Sequence, residues 1–386
     1  MLRVEAITDY DAFRRLEPIW NPLLARSDAD AIFLTFEWLT TWWECFGGDA
    51  DLLVLVVRAG DEPVALAPLM RNRRTRQVSF LANAQSMRAN FLLTSDPEAS
   101  LRAIFAYLAG SGLDAEEMVF NYIPEDSVAA RSSPAACRVN GLRPGYLPSL
   151  ISPYTTLTGR SWDDYVKTLD SKFRKNLRHY ERRFYEHESG RAVIYRSTND
   201  LAQALTACRE VALASWQHRE QGTSIASTPE LWAFYSGFAQ VAAERGWLRI
   251  GVLWAGARPV GFEYSPAYRG TTYDLKPGYD PDFHHCAPGH VLTAFMIRTA
   301  ISEGCAEFDM VGMNKYHKMK WATGERRHTC LCVAGRGVRA AFTHWVQFEA
   351  KPRLRRWPAA MAVKHWLDGR RGRGGGVVRR GAVQFK

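Results

Sequence analysis

The side chains best suited to chemistry lie between Tyr264 and Trp321. Two acids interrupt apolar, strand-like runs there: Asp274 in Gly270-Thr-Thr-Tyr-Asp-Leu-Lys276, and Asp309 in Cys305-Ala-Glu-Phe-Asp-Met-Val-Gly312. A carboxylate at the C-terminal edge of a strand can take a proton from a substrate; Asp309 ranks first and Asp274 second as general base. The competing roles are capping of the following turn for Asp309 and a structural ion pair for Asp274. A loop from Pro277 leads through Ala287-Pro-Gly289 into an apolar run, His290–Ile301, stopped by Gly304. Strand, loop and helix N-terminus is the order that aims free backbone N–H groups at an anion. Pro288 suits a first turn, and Gly289 lets a phosphate approach without a side chain in the way. His284, His285 and His290 are too loosely spaced for a metal site, so phosphate contact or simple exposure is expected of them and no metal is expected. Cys286 has no fixed base partner to make it a nucleophile. Neither a P-loop nor a dinucleotide glycine motif occurs.

The elements that position these residues are read twice along the chain. Val54–Ala67 and Ile250–Glu263 share five of fourteen residues at a constant offset of 196, and each reads as two β-rich runs around a Gly turn with Pro opening the second. Before them stand Thr35-Phe-Glu-Trp-Leu, which begins an aromatic-rich helix ending at Gly47, and Thr228-Pro-Glu-Leu-Trp, which begins another with Thr228 as N-cap. After them come Leu101–Leu108 then Glu117–Tyr122, and Gly289–Ser302 then Ala306–Val311. Agreement in order points to duplication, with halves at 1–150 and 151–335 joined through Gly141-Leu-Arg-Pro-Gly-Tyr-Leu-Pro148. Ser161-Trp-Asp-Asp164 opens a helix, and Ser171–Phe184 reads as another with Phe173, Leu177, Tyr180 and Phe184 on one stripe. Lys172, Arg174, Lys175, Arg178, Arg182 and Arg183 fill the rest of its circumference, as a solvated face or as an anion-facing helix.

These residues resemble a known family. The combination of Ser171-Lys-Phe-Arg-Lys-Asn-Leu-Arg178, Trp216 with Gly222-Thr223, Gly278-Tyr-Asp-Pro281 with Ala287-Pro-Gly289, and Phe308–Gly312 with His317-Lys-Met-Lys-Trp321 is similar to the CelD/BioF2-like acyltransferases. These are GNAT-type proteins related to the FemAB peptidyl transferases. The resemblance implies an α/β (α+β) chain of two tandem GNAT-like folds, each a mixed sheet flanked by helices, with the active cleft mainly in the second. It places Pro288, Gly289 and His290 at the pyrophosphate of an acyl-CoA, with His284 and the basic Arg174 and Lys175 as further donor contacts. It matches Lys318 and Trp321 to a Lys-x-x-Trp ending, Lys318 joining the catalytic set and Trp321 lining the substrate side with Trp216 and Tyr273. Ala287 stands where the family has Ser, and His317-Lys318 where it has Tyr-Lys.

The expected activity is N-acyl transfer from acyl-CoA, a co-substrate rather than a tightly bound cofactor, to an amine by direct attack. The alternatives are an aminoacyl-tRNA donor, as FemAB relatives use, and a non-catalytic binding module. Composition is compatible with all three. The chain has 386 residues, which at roughly 150 per domain suits two domains. With 47% hydrophobic and 23% charged residues it cannot be a disordered or collagen-like chain. Of its net charge of +10, nine units fall between Glu349 and Lys386, leaving a nearly neutral body, so total charge says little about nucleic acid. Segment 336–386 is a basic tail in which a short helix around Ala359–Leu367 would suit an anionic membrane surface; a solvated terminus is the competing reading. Seven cysteines without a C-x-x-C pair, no apolar leader and no long apolar run lead us to expect a cytoplasmic chain, peripheral at the inner membrane face if the tail binds lipid.

Overall fold

Both hairpins form where the β-rich apolar runs place them. A computed structural model describes residues 2–350 apart from 111, 113–116, 216, 219–221, 314, 315 and 336. The first half runs β1 (Leu2–Ile7), α1 (Tyr10–Arg14), α2 (Glu17–Leu24), α3 (Phe36–Phe46), β2 (Ala50–Ala59), β3 (Glu62–Asn72), β4 (Val78–Phe80), β5 (Leu92–Leu93), α4 (Pro97–Gly110), β6 (Glu117–Pro124) and α5 (Val128–Val139). β7 (Arg143–Thr156) follows, then α6 (Trp162–Thr168), α7 (Ser171–Arg182), β8 (Gly190–Tyr195), α8 (Leu201–Ala214) and α9 (Pro229–Glu244). The remainder is β9 (Ile250–Ala255), β10 (Arg258–Tyr264), β11 (Ala267–Tyr268), β12 (Thr271–Tyr273), β13 (Lys276–Tyr279), α10 (Pro288–Ser302), β14 (Glu307–Asp309), α11 (Tyr316–Met319), β15 (Gly324–Ala334) and α12 (Val338–Trp345).

The described strands make a large sheet in the order β1-β2-β3-β4-β6-β15-β7-β14-β12-β11, with β5 also on β3, and a small sheet β13-β10-β9-β8. The link expected at 141–148 is not a loop. From Arg143 it forms the first part of β7, which pairs β15 along most of its length and β14 only at Tyr154–Thr156. No other described strand pairs its second side, so Pro144 and Pro148 forfeit no ladder hydrogen bond there. β15, from the second half, inserts between β6 and β7 and so stitches the two halves into one sheet.

The repeated helices α3 and α9 begin on Thr35 and Thr228, whose hydroxyls accept from Trp38 N and Leu231 N. They pack against each other. Trp38 meets Phe234 and Phe238 edge-on at 4.9 and 4.7 Å, and such aromatic pairs add about 1 kcal/mol each beyond burial. The largest apolar cluster therefore spans both halves. A second fills the first half, and a third joins α6, α7 and α10 around Trp321. No described helix is long and apolar enough to cross a membrane.

Candidate active site

One extended segment belongs to both sheets. β12 runs parallel to β14, ending at Tyr273 opposite Asp309, whereas β13 pairs antiparallel with β10 from Lys276 opposite Tyr264 onward. The switch takes two residues. Asp274 N donates to Asp309 O (2.8 Å) and Leu275 N to Tyr264 O (3.1 Å). Beyond Asp309 the other chain turns away: Met310 N bonds Pro153 O (3.0 Å), and Val311 and Gly312 take φ of +25° and +74°. A β-branched residue in that region is strained, and such strain is concentrated at functional sites. A seam thus opens between β13 and residues 310–312.

Three ionisable side chains meet at the seam. Asp274 and Glu263 (on β10) are both buried, and Asp274 Oδ1 and Glu263 Oε2 have no hydrogen-bond partner among the described residues. Glu263 Oε1 accepts from Ser265 Oγ (3.0 Å). Lys318 Nζ lies 3.8 Å from Asp274 Oδ2 and donates to the Met310 and Val311 carbonyls, the latter at 2.8 Å. Burial pushes Glu263 well above the usual carboxylate range, with the Asp274 charge adding to it. Burial also raises Asp274, while Lys318 pulls it back down. Lys276, half-buried and near Lys318, is pushed down to about 8 by desolvation and by the Lys318 charge, and donates to Thr223 O (3.1 Å). Thr293 of α10 stands by Glu263 and donates to Gly289 O (2.9 Å), tying the acids to the helix turn.

Asp309, ranked first as base, has another occupation. Its Oδ1 accepts from Val311 N (2.9 Å), the turn cap weighed against catalysis in the sequence. Its Oδ2 is held by Arg326 (2.9 Å) and by Arg88, which reaches across from the first half. Both oxygens are committed, and the group is fully buried. Of the two acids ranked in the sequence, Asp274 is the one left with an unpartnered oxygen at the seam.

The turn before α10 exposes fewer amides than its sequence suggests. Ala287, at φ +46°, gives α10 no side-chain cap. Its own N–H bonds His284 O (3.0 Å), while its carbonyl accepts from His290 N (2.9 Å) and Val291 N (3.3 Å). Pro288 has no N–H. Gly289 therefore supplies the one amide without a backbone acceptor, and a Cβ built there meets nothing within 4 Å. His290 faces inward rather than toward a phosphate: its ring stacks on Tyr180 (6.3 Å) and meets Phe173 (5.0 Å), and Nδ1 accepts from Trp321 Nε1 (3.3 Å). Burial pushes its pKa down to about 4, with Lys320 and His317 contributing, so the ring is neutral at pH 7.

His284 is exposed in the turn, with Nδ1 3.0 Å from Pro281 O. His285 pairs with Glu188 (2.8 Å), and the buried Cys286 brings its sulfur within 4.8 Å of both ligand atoms. These are three donors of the types a zinc ion takes, where closed structural sites use four. Arg174 and the exposed Lys175 ride on α7, which packs along α10 through Phe173. Tyr273 is not at the seam surface; it is buried between the halves against Phe33 (5.4 Å). Trp321 is likewise core, held by Phe173 (4.9 Å) and by Tyr165 Oη on its carbonyl (2.6 Å). Trp216 lies outside the described residues. Sequence reading missed Glu263, although an acid in the apolar run Val260-Gly-Phe-Glu-Tyr264 was a usable signal. Arg88 gave none, because its partner is 221 residues away.

Residues 171–319 match the family model of the acetyltransferase (GNAT) domain. They form a GNAT acetyltransferase domain. This GNAT domain takes in α7, the split strand, the α10 turn and Lys318, that is, the whole seam, and makes the chain an acyltransferase. The chain is similar in fold to FemX (TM-score 0.59, 11% identity, covering 84% of this chain and 96% of that one). It is similar also to L-PGS from Bacillus licheniformis (0.52, 14%, 88% and 97%). A tandem GNAT protein from the clavulanic acid biosynthesis pathway gives 0.50, 11%, 87% and 99%. Identities this low show fold, and the fold they show is the two-lobed GNAT arrangement expected from the repeat. No curated protein sequence matches the chain significantly.

Proposed function

We propose that the chain is an N-acyltransferase that moves an acyl group from acyl-CoA to an amine at the seam of its GNAT domain. The observation that carries this reading is the pair of buried acids, Asp274 and Glu263, each with an unpartnered oxygen where one strand leaves the large sheet for the small one. The donor's phosphates lie at the open Gly289 amide on the positive end of α10. The amine nitrogen attacks the thioester carbonyl, forming C–N as C–S breaks. Asp274 takes the amine proton and returns it to the leaving thiolate; Glu263 holds a second proton on the pair. Lys318 positions the reacting strand ends by tying the 310–311 carbonyls, and its charge keeps Asp274 able to ionise despite burial. Met313, Tyr316 and Met319, all exposed around Lys318, suit an acceptor or acyl chain with an apolar portion. Within GNAT proteins the sequence motifs fit the CelD/BioF2-like group.

The second reading is an aminoacyl-tRNA donor, favoured by the basic circumference of α7 and by the resemblance to FemAB-type transferases. Two titrations separate them. CoA at millimolar concentration should raise the melting temperature with little dependence on salt. Steep weakening of tRNA binding with salt, and no shift with CoA, would transfer the case to tRNA. No response to either would leave a scaffold that binds something else.

A further inference from the structure

We infer that α12 is a membrane-docking helix that sets the molecule on an anionic bilayer. The inference is independent of what the seam binds. Val338, Phe342 and Trp345 recur at i, i+4 and i+7, one face of the helix, and are 88%, 63% and 45% exposed. Phe342 and Trp345 stack on each other at 6.1 Å instead of on the body of the protein. The segment is nonetheless fixed in place. Phe348, in the turn that continues the helix, lies so close to Gly145 of β7 that a Cβ on that glycine would meet it at 2.6 Å. One side is thus pinned to the sheet, and the opposite side presents a short apolar stripe to solvent.

The sequence immediately beyond says what covers the stripe. The 36 residues after Ala350 contain eleven Lys or Arg and one acid, Asp368, which equals the net charge of the entire chain, so the first 350 residues are neutral overall. An apolar stripe joined to a concentrated cationic segment matches a surface that is apolar below and anionic at its rim, which is a bilayer containing anionic lipid. A nucleic acid would use the charges and could stack a base on Phe342 or Trp345, but it offers no apolar phase to bury Val338 and the whole stripe. A second copy of the chain would need about 800 Å² from each partner, far more than two turns of helix supply. From Gly145 to Tyr154, at the seam, β7 runs nine residues, on the order of 30 Å. Docking therefore fixes where the enzyme works without bringing lipid into its active site.

The test is co-sedimentation of the full chain with vesicles of phosphatidylglycerol and phosphatidylcholine, and with phosphatidylcholine alone. Wild type should pellet with the anionic vesicles and remain in solution with the neutral ones. Phe342→Asp/Trp345→Asp should partition at least tenfold less while keeping its melting temperature, and ending the chain after Ala350 should abolish pelleting. Equal pelleting of the double variant overturns the inference by assigning binding to the basic segment alone. Absence of wild-type pelleting at low salt, or a concentration-dependent dimer that the double variant loses, overturns it too.

Discussion

The two lobes carry the same turn with opposite chemistry. In the first, α4 begins Asp96-Pro97-Glu98; in the second, α10 begins Ala287-Pro288-Gly289. Asp96 and Ala287 both adopt a left-handed backbone, at φ +40° and +46°. Asp96, however, caps its own helix, its Oδ1 accepting from Ala99 N (3.0 Å), and Glu98 adds a second acid to the first turn. Two carboxylates at a positive helix end neutralise it and exclude an anion. Ala287 and Gly289 leave that end open. The sheets differ in the same sense. β4 pairs both β3 and β6, and Phe80, Phe91 and Phe120 close on one another at 5.0–5.4 Å beside it. The corresponding strand of the second lobe is split between two sheets and flanked by acids. The first lobe closes this turn and strand with capping acids and packed rings, whereas the second leaves both uncapped beside buried acids.

The sharpest way to break this comparison is to disable the seam. Asp274→Asn should lower turnover by about 10²–10⁴, the usual worth of a general base, with donor affinity unchanged. Steady-state kinetics checks this, and Asp309→Asn should instead act chiefly on stability. Next comes the bond between the lobes. Arg88→Ala leaves buried Asp309 with Arg326 as its one guanidinium and should destabilise the fold by about 1.5–3 kcal/mol, read from denaturant midpoints. The turns can then be exchanged. Gly289→Glu, which copies the first lobe, should weaken donor binding on the order of tenfold, about 1.4 kcal/mol, while Glu98→Gly should leave it unaltered in the same calorimetric titration. A further effect concerns acid stability. His290 and His328 are both pushed down to about 4 by burial, against 6.5 for the free side chain. The unfolded chain therefore binds more protons than the folded one between these values, and stability should fall as pH drops from about 6.5 through 4. His290→Phe should flatten that fall in thermal melts, and an unchanged slope would remove His290 from the account.

Local signals carried much of this. The hairpins, the Thr228 cap and the Pro288 helix start were legible because their causes lie within a few residues: apolar β-rich runs around a Gly turn, a hydroxyl acceptor, a missing N–H. The two-lobed fold followed from their repetition. What stayed hidden depends on distant partners. Nothing near Asp309 announces that Arg88 and Arg326 will occupy it, and nothing near His290 announces the ring cluster of Phe173, Tyr180 and Trp321. The strand at 143–156 looked like a linker because its prolines signal a break, but they sit where no other described strand pairs its second side. Glu263 was visible yet unremarked, since a single acid closing a hairpin reads as a solvent-facing residue until the second sheet buries it.

The Gly289 amide offers the most direct test of a donor site in one lobe only. In a deuterated, ¹⁵N-labelled chain titrated with CoA, the account predicts a saturable shift of the Gly289 amide resonance and none at Glu98 or Ala99. A shift at the first-lobe turn, or a Gly289 signal that stays still while CoA binds elsewhere, would contradict it.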